Sequence, residues 1–109
     1  STATKLERRP TSVIHDPDGF LATPEDVVRE AAVMLWAFGD ATGARALLQA
    51  QRERHVPRAL LQLAWLDFAE GHGDAAMKTV EAFATMAPSL LPEAKPLATA
   101  MEQAAPKAP

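Results

Sequence analysis

The sequence contains no cysteine. That excludes disulfides, thiolate metal sites and a cysteine nucleophile, and it leaves the compartment open. No apolar run approaches the ~20 residues that span a bilayer as a helix. There is no excess of basic charge: 11 Lys and Arg stand against 14 Asp and Glu, the net charge is −3 and the pI is near 5.5. Nucleic acid is therefore not expected as a partner, because phosphate binding needs a basic surface. No glycine-rich phosphate loop occurs, and Ser12 and Ser89 lack the context of a nucleophile elbow. The 14 acids form no recognisable acid/base arrangement. No enzyme activity, metal or other cofactor is expected.

What remains is an ordinary globular composition. Apolar residues make up 48% and charged residues 23%, which argues against wholesale disorder. The 109 residues suffice for one domain with a modest core. The chain opens at Ser1 without Met or a signal-peptide pattern, and it ends in Ala104-Ala105-Pro106-Lys107-Ala108-Pro109, which reads as linker. These ends suggest a domain taken from a larger protein.

Gly-Asp-Ala occurs at Gly39-Asp40-Ala41 and again at Gly73-Asp74-Ala75, 34 residues later. Each copy separates two helical apolar patterns. A period of 34 with helix–turn–helix content is the spacing of tetratricopeptide (TPR) repeats. The expected fold is all-α: two stacked antiparallel helical hairpins plus a C-terminal capping helix and an extended N-terminal arm. The arm covers 1–22, the TPR-like domain 23–105 and the linker tail 106–109.

In the arm, Val13-Ile14 is a β-branched pair and Asp16-Pro17-Asp18-Gly19 is turn chemistry. Phe20 and Leu21 are expected to tack it onto the helices. The first helix starts with Thr23 as N-cap, Pro24 in the first helical position, and Glu25 and Asp26 at the positive end of the dipole. Val27, Ala31, Met34 and Phe38 recur at helical spacing, widened by Val28, Ala32 and Leu35, while Arg29 and Glu30 face away. Gly39 ends this helix. Asp40 or Thr42 caps the second, whose face is Ala44, Leu47, Leu48 and Gln51. Pro57 opens a third helix over about 57–70 that is apolar nearly all round, which marks it as central. Gly71-His72-Gly73 breaks it. Asp74 is expected to cap the fourth, which buries Ala76, Val80, Phe83, Ala84 and Ala87, with Met77 and Met86 at its margins. Pro88 stops it. Pro92 and Pro96 then predict a helical turn, a kink near Lys95 and a short last helix.

The run Glu30-Ala-Ala-Val-Met-Leu-Trp-Ala-Phe-Gly-Asp40, then Ala44-Arg-Ala-Leu-Leu48, resembles the TPR-like segment of FimV-type proteins. Leu61-Gln-Leu-Ala-Trp-Leu-Asp-Phe68 is similar to that family's following helix. The likeness covers about 25–87. It departs from generic TPR in the placement of Trp36 and in the early Pro88. The resemblance implies a bacterial scaffold tied to polar envelope, secretion or type IV pilus assembly, in the cytoplasm or the periplasm.

His15, His55 and His72 fall in loops or helix ends, without an i, i+4 pair, and read as turn residues and caps. A calcium loop starting at Asp16 would need a carboxylate where Val27 stands. Arg45, Arg52, Arg54 and Arg58 are the one basic concentration. They form either a clamp for an acidic peptide or, as favoured, a solvated helix end. Trp65 is expected in the core and Trp36 is the candidate interface anchor. The first helix of each hairpin should line a concave face, with Arg29, Val33, Trp36, Gln62, Leu66 and Glu70 as lining, flanked by Arg58. The expected function is a non-catalytic scaffold binding a protein, as a peptide or partner helix, on that face. The alternative is a self-associating homodimer. A ligand-carrying bundle would need a polar cluster inside the apolar stripe, where only Asp67 lies.

Overall fold

The computed structural model describes residues 14–15 and 21–104. Within them the chain is helical apart from two short antiparallel strands, β1 (Ile14–His15) and β2 (Leu21–Ala22), which pair Ile14 with Ala22 and His15 with Leu21. The helices are α1 (Pro24–Ala37), α2 (Ala41–Glu53), α3 (Pro57–Ala69), α4 (Gly73–Met86) and α5 (Lys95–Ala104). A 3-10 segment, Pro88–Ala94, runs directly into α5. The turn expected at Asp16-Pro17-Asp18-Gly19, the packing of Phe20 and the linker at 106–109 lie outside the described residues.

Local chemistry accounts for these boundaries. The Thr23 hydroxyl accepts from the Asp26 N–H at 3.2 Å, and the Asp26 carboxylate accepts from the Thr23 N–H at 2.9 Å, a reciprocal capping box ahead of Pro24. Asp40 caps α2 by accepting from the Gly43 N–H at 2.8 Å. A Cβ at Gly43 would stand 2.3 Å from that carboxylate, so the cap and the glycine go together. Pro92 is held inside the 3-10 segment, and Pro96 sits in the first turn of α5.

Three helix ends close in one way. Gly39, His55 and Gly71 take positive φ of 98°, 62° and 85°. The N–H of the next residue reaches back five positions in each case: Asp40 to the Leu35 carbonyl at 2.8 Å, Val56 to Gln51 at 3.1 Å, and His72 to Asp67 at 2.8 Å. This is the Schellman closure of a helix C-terminus. Residues 39, 55 and 71 are spaced by sixteen, so the like-for-like positions Gly39 and Gly71 lie 32 residues apart. The 34-residue period of Gly-Asp-Ala is therefore not the structural one. Gly39 precedes its helix, whereas Gly73 is already the first residue of α4, and the N-cap of α4 is His72 rather than Asp74. The identical triplets sit two positions out of frame.

By its contacts the chain forms two units, Ser1–Leu47 and Leu48–Pro109, divided within α2. In the first unit, α1 buries Ala32 fully and half-buries Val28, Leu35 and Trp36. Met34 and Phe38, expected in the core, are 54% and 84% exposed. The helix carries apolar residues around most of its circumference, so periodicity does not say which arc is covered. Arg29, expected to face away, lies beside Ala32 on the covered arc. Its side chain is 11% exposed and paired with Asp26.

In the second unit the closest helix packing is between α3 and α4, joined by Glu70-Gly71-His72. Leu60, Leu61 and Ala64 of α3 meet Ala76 and Phe83 of α4, and Ala94 and Leu97 complete the cluster. Trp65 packs against this core and meets Phe68 edge to face, with ring centroids 6.3 Å apart. Arg58, near the start of α3, donates to both carboxylate oxygens of Glu93 at 2.8 and 2.6 Å, tying α3 to the 3-10 segment. Helix α3 is apolar nearly all round, as its sequence implies, and buries Ala59, Leu60, Leu61, Leu63, Ala64 and Leu66.

Candidate binding surface

The second unit carries an open cleft of about 850 Å³. The last turn of α3 supplies Phe68 and Ala69, the first turns of α4 supply Asp74 and Met77, and α5 supplies Ala98, Met101 and Glu102. Gly71 and Gly73 form its mouth, and a Cβ at either would meet nothing within 4 Å. The absence of side chains there leaves the entrance wide. The cleft is thus bounded by the end of α3, the start of α4 and the later part of α5. The gap is floored by Phe68, Met77 and Met101, of which Met77 is 50% exposed. Methionine suits such a surface, since its unbranched, polarizable side chain adapts to different shapes.

Asp67, Glu70 and His72 come together beside this cleft, each with a ligand atom within 4.8 Å of the others. This is the grouping among the described residues that can hold a cation. His72 is expected from its spacing to be a turn residue; the structure groups it with the preceding carboxylates. Both Asp67 and Glu70 also take part in other polar interactions.

The expected lining residues divide between the two units. Arg29, Val33 and Trp36 belong to α1 in the first unit, whereas Arg58, Gln62, Leu66 and Glu70 belong to the second. Val33 is 36% exposed, and Trp36 and Gln62 are half-buried. Leu66 is 3% exposed and offers no surface to a partner, because on a helix buried nearly all round it packs inward. Arg58 is exposed but engaged by Glu93. Glu70 is the C-cap of α3 and half-buried. Of the basic concentration, Arg52 and Arg54 are exposed at the end of α2 and Arg45 is half-buried. Met77, expected at the margin of the α4 stripe, is half exposed, and Met101 is partly buried against the core; that the two line one cleft was not expected.

The chain matches no protein-family model, and comparison with curated proteins and with solved structures finds no significant match to either. The likeness to FimV-type segments thus rests on its sequence motifs. Among the described residues no helix is long and apolar enough to cross a membrane.

Proposed function

We propose that the protein is a non-catalytic interaction module that holds a peptide or partner helix from another protein. The observation that carries this reading is the open apolar cleft at the α3–α4 turn, floored by Phe68, Met77 and Met101. Its floor is apolar and its polar groups are confined to the edge, the arrangement of a surface that buries partner side chains. The helical-repeat reading, with two hairpins stacked as in TPR proteins, belongs to the same proposal. Its support is the recurrence of one helix closure every sixteen residues at 39, 55 and 71. Under the FimV-type resemblance, the partner belongs to envelope, secretion or type IV pilus machinery.

A photo-crosslinking residue at position 77 tests the reading, with the same residue at position 86 as control, since Met86 is exposed but does not line the cleft. One defined protein is expected to crosslink from position 77 and not from 86. Equal yields from the two positions refute the placement.

A second reading, the homodimer, is favoured by the apolar strip of α1, where Val33, Met34 and Phe38 are exposed. Light scattering over a hundred-fold concentration range separates the two. A constant dimer mass that Phe38→Glu converts to monomer establishes the homodimer.

A further inference from the structure

We propose that the cleft at the α3–α4 turn takes an amphipathic helix whose polar flanks are basic; this rests on the interaction-module reading above. Charge complementarity around an apolar lining selects the partner. The charged residues lining the cleft are Asp74 of α4 and Glu102 of α5, and none of the lining residues is cationic. Both carboxylates are exposed, so they stand at the rim, where lysine or arginine side chains can reach them without leaving water. The C-terminus of α3 at Ala69 lines the cleft and brings the negative end of its dipole; the positive end of α4 opposes it and is offset by Asp74 in the first turn of α4.

The shape fits a helix better than a small molecule. Small-ligand sites enclose most of their ligand, whereas this cleft is open along its length. An open, methionine-bearing trough accepts apolar side chains presented at i, i+3, i+4 and i+7 by a docked helix, with its basic flanks over the acidic rim. Acidic or neutral partners gain the same apolar contact but lose the attraction, and acidic ones are repelled.

The probes are two 18-residue helical peptides with one leucine pattern, the polar positions all lysine in one and all glutamate in the other. The protein is labelled at its methionine methyl groups with carbon-13 and titrated with each. Only the methyl resonances of Met77 and Met101 are expected to move, with Met34 and Met86 as internal controls. The leucine/lysine peptide should bind at least ten-fold more tightly at low salt. The double variant Asp74→Asn, Glu102→Gln should weaken it about five-fold while leaving the unfolding midpoint nearly unchanged. Equal affinity for the two peptides overturns the charge selection and leaves the interaction surface standing. Silence of Met77 and Met101 with both peptides overturns the surface itself. Shifts of those two resonances with protein concentration alone, in step with a doubled mass, show a second copy in the cleft and overturn the proposal.

Discussion

His55 holds a conformation that its neighbours in the pattern give to glycine. It sits at φ 62°, between Gly39 at 98° and Gly71 at 85°, in the same closure. A side chain in that region crowds the backbone, at about 1–2 kcal/mol for an ordinary residue. His55→Gly is therefore expected to raise stability by about 0.5–1 kcal/mol in urea titrations, part of the relief being offset by the looser unfolded chain. Gly71→Ala should lose about 1 kcal/mol through the backbone alone, since a Cβ there meets nothing. The N-caps give a matched contrast. Asp40→Ala removes a side-chain bond to the Gly43 N–H and should cost about 1 kcal/mol, whereas His72→Ala removes no cap bond and should cost little by the same measurement. The capping residues Thr23 and Asp40 were legible in the sequence because their chemistry is local. The role of His55 was not, because nothing in its side chain announces a positive φ. Its presence between two glycines also hides the sixteen-residue spacing, and the Gly-Asp-Ala identity draws attention to a frame two residues away.

At the level of elements, the helix boundaries followed from Pro24, Pro57, Pro88 and the glycines, and Pro92 and Pro96 led to a helical turn ahead of a short last helix, though not to its 3-10 form. The covered face of α3 was also readable, because a helix apolar all round has one answer. The covered face of α1 was not, for the opposite reason: several arcs carry apolar residues and only packing chooses among them. That ambiguity placed Met34 and Phe38 inside and Arg29 outside. The cleft was illegible for a related reason. Its lining is drawn from α3, α4 and α5 together, which no single element encodes. Phe83, wholly buried where α4 meets α3, should be the costliest truncation in the second unit: Phe83→Ala is expected to lose about 3–5 kcal/mol and to melt α3 and α4 together in hydrogen exchange. The Arg58–Glu93 pair is half exposed, so a double-mutant cycle should return less than about 1 kcal/mol, falling further in high salt. Arg58 was expected to serve a partner; the structure gives it work inside the fold.

For the whole molecule, composition set the exclusions that matter most. A chain without cysteine holds no disulfide and no thiolate metal site, and the open apolar cleft of the second unit supplies a surface for the proposed binding. Binding at that cleft has a global signature. A ligand at a hundred times its dissociation constant adds about 2.7 kcal/mol to the stability of the state that binds it, so thermal melts with and without the leucine/lysine peptide should separate by about ten degrees. The joints between helices carry a quieter consequence. Each of the three corners at 39, 55 and 71 is fastened by main-chain amides and carbonyls, groups that neither gain nor lose a proton across the range in which cells live. Brine that mutes the pairing of Arg58 with Glu93 leaves those fastenings alone. The path of the chain is thus insulated from the ionic weather that governs whatever it grips.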